Sequence, residues 1–198
     1  MQFIFGYGSL ICADSRSRTG VSGPAHPIEI HGISRRWSLH SPEWPATALS
    51  AHIHKDAICN GVYFPVDEKN LALFDQREIG YDRIKIEWEQ VKAVSNQELP
   101  RSYTLWAYVG KQTGEPIPEK PIMQSYLDVI LNGCLEYGPE FAASFTQQTE
   151  QWLHLVDDRD QPMYPRPLKS HKNLSHIDQI IEKQLPKLWR NRKVHKLV

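Results

Sequence analysis

Cysteine is scarce in this chain: of 198 residues only Cys12, Cys59 and Cys134 are cysteines, and they stand far apart with no Cys-x-x-Cys spacing. An odd, scattered set argues against a disulfide framework, so a reducing, cytoplasmic setting is expected. No apolar run reaches the ~18 residues of a membrane-spanning helix, and no positively charged, apolar leader precedes the first strand. The expectation is a soluble chain without a secretion signal. Neither sign of charge is in excess, with 23 Lys plus Arg against 23 Asp plus Glu. Without a global basic field, neither nucleic acid nor a membrane is expected as principal partner. Repeats and low-complexity blocks are missing too, and the prolines act as punctuation rather than forming a linker.

Several chemical signatures are also lacking. Gly6-Tyr7-Gly8-Ser9-Leu10 has no second glycine to complete a Gly-x-Ser-x-Gly elbow, so Ser9 is not expected to be a hydrolase nucleophile. No Gly-Lys-Ser/Thr follows it, and no third glycine completes a dinucleotide fingerprint. His52 and His54 share a strand face by their spacing, but no further His, Cys or carboxylate stands at a zinc-like interval, so no metal site is expected. Asp157-Asp158-Arg159-Asp160 lacks the glycine and distal glutamate of a calcium loop and reads as a salt-bridged turn.

What is present begins at the first residue. Met1 to Phe5 is an apolar strand that runs directly into Gly6-Tyr7-Gly8-Ser9-Leu10-Ile11. Two glycines and a serine after a strand let a ligand approach the main chain and its N–H groups closely, which suits an oxyanion or a carboxylate. A plain tight turn is the other reading of the same residues. The second feature lies about seventy residues on, in Leu71-Ala72-Leu73-Phe74-Asp75-Gln76-Arg77-Glu78-Ile79-Gly80-Tyr81. Asp67 is placed as an N-cap, Leu71 and Phe74 share a face, and Gly80 is a stop, so Glu78 falls at a helix end.

Between and beyond these features the pattern is of strands first and helices later, the α+β arrangement. Strands are expected over 28–39, and over 47–53 and 61–66 as a hairpin turning at Lys55-Asp56. A further strand over 83–88 changes phase near Gln90, which predicts a β-bulge before Val91 and Ala93, and another covers 102–109. Helices follow over 121–136 and from Gly138-Pro139 to about residue 148. Arg35 and Trp37 share a strand face opposite Arg36; either arginine could reach a substrate carboxylate or simply stack on an aromatic at a solvated face. Residues 1–150 form the expected domain. Residues 151–198 read as a Pro-rich strap over 152–168 and a last helix near 177–189, packed on the same body, with a basic end of Lys187, Arg190, Arg192, Lys193 and Lys196 that is a solvated terminus or an anion-binding patch.

The turn Phe5-Gly6-Tyr7-Gly8-Ser9-Leu10-Ile11 and the Arg77-Glu78 element together resemble the gamma-glutamylcyclotransferase superfamily, including its AIG2-like and ChaC-like members. These carry an N-terminal Phe-x-Tyr-Gly-Ser loop and a catalytic glutamate after a short helix. The resemblance implies a small, mixed, barrel-like sheet with packed helices. It also implies an enzyme that acts on a γ-glutamyl amide, closing 5-oxoproline and expelling an amine or amino acid with no cofactor. Glu78 would be the general acid/base, working best with a raised pKa. Phe5, Gly6, Tyr7, Gly8, Ser9 and Leu10 would bind substrate, the loop amides anchoring its carboxylate and steadying the oxyanion. Tyr126, in Gln124-Ser125-Tyr126-Leu127, would be the later substrate-binding tyrosine. The plainer readings are an exposed Glu78 paired with Arg77 or Arg83, and a half-buried helix tyrosine. ChaC-like enzymes carry paired glycines after Arg-Glu, whereas here a single Gly80 precedes Tyr81, a departure from the glutathione-specific branch. The rival function is a non-catalytic module that binds a γ-glutamyl or amino-acid ligand on the same fold.

Overall fold

The opening apolar run forms strand β1 (Gln2–Gly6) because Phe3, Ile4 and Phe5 are all buried, as a strand covered on both faces requires. The computed structural model describes residues 1–42, 44–111 and 114–195. After β1 the chain makes a 3-10 turn at Ser9–Ile11 and a short helix, α1 (Ala13–Ser17). Two long strands follow, β2 (His26–Ser41) and β3 (Trp44–Val66), then helix α2 (Glu68–Arg77), β4 (Tyr81–Ile86), β5 (Val91–Ala93) and β6 (Leu105–Gly110). With β4 at one edge the order is β4-β6-β1-β3-β2-β5, a mixed sheet in which β1 is antiparallel to β3 and parallel to β6. Beyond the end of β1, β3 meets β6 directly at Ala51 and Val109, so the sheet curls into a half-barrel. The glycine turn sits where β1 leaves that curl.

The second half supplies the helices. A two-residue strand, β7 (Ile122–Met123), leads into the largely buried α3 (Gln124–Leu135), and α4 (Pro139–Gln147) restarts after Gly138, whose φ of 103° reverses the chain. Then come β8 (Thr149–Glu150), which lies beside β2, and β9 (Leu155–Asp157), α5 (Leu174–Gln184), α6 (Pro186–Arg190) and β10 (Lys193–Val194). Strands β10, β9 and β7 make a small separate sheet. Phe5, Phe64, Phe74, Leu127, Phe145 and Ile181 belong to one continuous apolar core. Among the described residues no helix is long and apolar enough to cross a membrane, and all three cysteines are buried and free.

Several expectations need correction. Residues 47–53 and 61–66 do not pair with each other as a hairpin; both lie along β2 in one strand, and residues 54–57 leave that ladder opposite Gly32, whose φ is 88°. The phase change near Gln90 is not a bulge within one strand. A 3-10 turn at Trp88–Gln90 carries the chain from β4, paired with β6, to β5, paired with β2. The last helix is two helices, because Pro186 cannot supply the N–H that would continue α5. At the basic end, Arg192 stacks on Trp189 at 3.5 Å and lies 3.6 Å from Asp157, while Lys196 falls outside the described residues.

Candidate functional site

Helix α2 begins where the Asp67 carboxylate accepts the Asn70 N–H at 2.7 Å, and it is anchored by Leu71 and by Phe74, whose ring lies 5.5 Å from that of Phe64. Its end is therefore fixed in the body of the protein, and Glu78 is its C-terminal cap, the Glu78 N–H bonding the Phe74 carbonyl. Arg77, the last helical residue, has a side chain only 4% exposed. It donates to the Ser15 carbonyl at 2.9 Å, to Thr19 Oγ1 at 2.6 Å, and to Ser9 and Ser15 Oγ at 2.9 and 3.0 Å. Its Nε lies 3.1 Å from Glu78 Oε1. Arg77 thus ties the acid at the helix end to the serine of the glycine turn.

That tie settles which ion pair forms. Arg83 is engaged elsewhere, 3.1 Å from Asp75 and stacked on Trp106, so it is no partner for Glu78. Nor is Glu78 an exposed carboxylate, since its side chain is 15% exposed. Burial pushes its carboxyl above the ordinary range; the positive charges of Arg77 and Arg166 pull the other way without cancelling that effect. The result is a carboxyl that holds its proton more readily than a free glutamate does.

The glycine turn lies against this acid. A small chamber of about 30 Å³, room for roughly one water, is lined by Phe5, Tyr7, Gly8, Ser9 and Leu10 together with Glu78, Tyr81 and Tyr126. It adjoins a larger cavity of about 450 Å³, within the usual size of a small-molecule site. Ser9, Glu78, Tyr81 and Tyr126 line both. The N–H groups of Gly8, Ser9 and Leu10 have no acceptor among the described residues, as befits the first turn of a short helix. A Cβ on Gly8 would lie at ordinary contact distance, 3.5 Å, from the Tyr126 hydroxyl. Gly6 lines neither space; it permits the turn itself, where a Cβ would meet Leu10 Cβ at 2.9 Å. Tyr7 donates its hydroxyl to the Tyr108 carbonyl.

Tyr126 is not half-buried but 5% exposed, in the first turn of α3. Its ring stands edge-on to Trp37 and Trp44, each at 5.6 Å, and 4.6 Å from Tyr164. Burial raises its pKa, with Tyr164 and Glu78 adding to the effect, so the hydroxyl is a standing hydrogen-bond donor. Tyr81, which shares both spaces, donates to the Leu49 carbonyl at 2.8 Å.

The sequence reading missed one wall of the cavity. Tyr164, Pro165 and Arg166 of the C-terminal strap line it along with Trp44 and Lys111. The only sequence signal was the run Tyr164-Pro165-Arg166-Pro167, which marks an extended segment but not what it covers. The acidic tetrad before it holds the strap down: Asp158 accepts from the Ser125 N–H at 2.7 Å and Oγ at 2.6 Å, and Arg159 bridges Asp128 and Asp178 at 2.7 Å each. Arg35 proves to be neither ligand-facing nor at a solvated face. It is fully buried, bonded to Thr149, Asn60 and the carbonyls of Tyr7 and Phe145, with Phe145 stacked at 3.7 Å. Its contact with Tyr7 makes it a brace behind the glycine turn. His52 bonds Ser38 Oγ at 2.7 Å, and no metal-holding group of His, Cys, Asp or Glu occurs among the described residues.

No family model matches the sequence, and no curated protein matches it. Solved structures do. A protein described as a gamma-glutamyl cyclotransferase aligns with a TM-score of 0.60 at 16% identity, over 92% of this chain and 98% of its own. An uncharacterized protein from Homo sapiens aligns at 0.57 and 16% identity, over 89% of this chain and 97% of its own. YkqA from Bacillus subtilis aligns at 0.54 and 16% identity, over 74% of this chain and 53% of its own. The curled mixed sheet with its packed helices is thus the gamma-glutamyl cyclotransferase-like fold, as the two sequence elements implied.

Proposed function

We propose that this chain is a gamma-glutamyl cyclotransferase, an enzyme that converts a γ-glutamyl amide to 5-oxoproline and a free amine. The observation that carries the reading is that Glu78 and the glycine turn line one space, with Arg77 bonded to both. In the first step the Glu78 carboxylate takes a proton from the substrate α-ammonium, and the freed nitrogen attacks the γ-carbonyl carbon. The oxyanion that forms is met by main-chain N–H groups of the turn over residues 8–10. The bond from that carbon to the leaving nitrogen then breaks, and Glu78 returns the proton to the departing amine. One carboxyl serves both transfers, no covalent enzyme intermediate forms, and protons balance without a cofactor.

Much of the rate comes from holding the substrate folded, because intramolecular attack needs the amine close to the carbonyl. Tyr126 and Tyr81 are rigid groups at the junction of chamber and cavity and can fix that conformer. The strap and last helices within residues 151–195 act as part of the same catalytic body, the strap supplying a cavity wall. A pure binding module has no need of a proton shuttle, and the buried, raised carboxyl of Glu78 favours the enzyme over it.

The test is incubation with glutathione and with γ-glutamyl amino acids, followed by assay of 5-oxoproline, with Glu78→Gln as control. The variant keeps its fold and loses at least ~100-fold in turnover, the scale of a lost general acid/base. Wild-type activity in the variant refutes the role of Glu78, and binding of these compounds without turnover by either protein favours the binding module.

A further inference from the structure

The strap contributes one group that the reaction does not use. Arg166 lines the larger cavity, is half-buried, and makes no hydrogen bond or ion pair with any described residue. It is also near enough to Glu78 for its charge to be felt there. The other cations of the wall are already engaged, Arg77 at 3.1 Å from Glu78 and Lys111 at 3.3 Å from Asp82. Beyond that longer-range attraction to Glu78, the Arg166 guanidinium has no hydrogen-bonded anion among the described residues, so its ion pair is unfinished.

Its position is well fixed. The Met163 N–H donates to Asp158 at 2.8 Å, the Met163 carbonyl accepts from Trp44 Nε1 at 3.3 Å, and the Pro167 carbonyl accepts from Arg18 at 3.0 Å. Pro165 and Pro167 restrict the backbone on both sides of Arg166. Beside it are apolar ring surfaces, Trp44 and Tyr164 with centroids 6.0 Å apart. The cavity thus joins one free cation to an aromatic wall, a set suited to a carboxylate that carries a bulky apolar group.

Resting on the cyclotransferase reading, in which the γ-carbonyl lies at the glycine turn in the chamber, a carboxylate that meets Arg166 in the larger cavity belongs to the leaving half. We propose that Arg166 reads the carboxylate of the leaving group, so that the enzyme takes γ-glutamyl conjugates of apolar or aromatic amino acids in preference to those of simple amines. Arg166 is thereby a specificity residue supplied by the C-terminal strap.

The experiment compares γ-glutamyl-phenylalanine with γ-glutamyl-phenethylamine, which differ only in that carboxylate, by 5-oxoproline release. Wild type favours the acid by at least ~10-fold in kcat/KM, mainly through KM, the scale of one charge-assisted hydrogen bond. In Arg166→Gln the acid-to-amine ratio falls to within about threefold of unity, on the same scale. Arg166→Lys keeps part of it, and Lys169→Gln, at an exposed cation just past the strap and outside the cavity, keeps all of it. Using the ratio cancels any effect of Arg166 on Glu78, since both substrates share that acid. A wild-type ratio near one, or a ratio that survives Arg166→Gln, overturns the assignment while leaving the cyclotransferase reading intact. If neither compound yields 5-oxoproline, that reading fails, and calorimetry decides the assignment: tighter, Arg166-dependent binding of the acid upholds it, and equal or absent binding overturns it.

Discussion

Replacing Arg77 with Met should weaken the fold in a pH-dependent way that a simple packing defect cannot imitate. The substitution removes four hydrogen bonds, to Ser15, Thr19 and Ser9, and leaves Glu78 without its 3.1 Å partner. Breaking a buried pair by deleting one member costs about 3–5 kcal/mol, and the 15% exposure of Glu78 puts the expected loss near the low end. The protein can recover part of that loss by protonating Glu78. Burial already raises the Glu78 pKa, and removing the guanidinium that opposes burial raises it further. A carboxyl whose pKa is higher folded than unfolded contributes stability that is fully present below the unfolded value and lost as pH rises through the folded one. The variant should therefore lie closest to wild type in acid and fall further behind through neutrality, each unit of added shift being worth ~1.4 kcal/mol. Urea melts of both proteins at about pH 5 and about pH 8 measure this. A loss below ~1 kcal/mol, too small for a broken buried pair, or an equal loss at the two pH values, refutes the reasoning.

Two further outcomes follow from the same geometry. Tyr126→Phe keeps the ring contacts with Trp37, Trp44 and Tyr164 but removes a buried donor at the junction of chamber and cavity, so kcat/KM should drop about tenfold while the melting temperature stays close to wild type; unchanged kinetics would exclude a substrate contact. In the pH profile of kcat/KM, activity should fall in acid as Glu78 protonates, with its inflection above the ordinary ~4.3 of a glutamate because burial raises this carboxyl, and Arg166→Gln should move that limb to still higher pH. An inflection at or below the ordinary value would contradict the environment described for Glu78.

The local signals in the sequence were the most legible part of the structure. Asp67 caps α2, Gly138-Pro139 restarts the chain as α4, and the apolar run before Gly6 is the central strand β1, because each rests on a few neighbouring residues. Glu78 was legible for the same reason, as a residue just past a well-marked helix end. What was not legible depended on distant partners. Lys55 and Asp56 look like a turn by composition, yet the strand runs past them because β2 supplies a template for both halves. Arg35 looks like a surface charge, yet acceptors from Asn60, Phe145 and Thr149, the latter two over a hundred residues away, let it be buried. The same limit hid Arg166, since a Pro-flanked arginine reveals its cavity only when the strap is laid across Trp44 and Ser125.

In the proposed reaction the nucleophile that attacks the γ-carbonyl is the substrate's own α-nitrogen and not water. Turnover of a γ-glutamyl amino acid in water enriched in oxygen-18, with products resolved by mass spectrometry, tests it most directly. The expected product is unlabelled 5-oxoproline in an amount equal to the released amine. Labelled glutamate as the product would mean that water attacks the carbonyl, and the assignment of Glu78 to a cyclisation would be wrong.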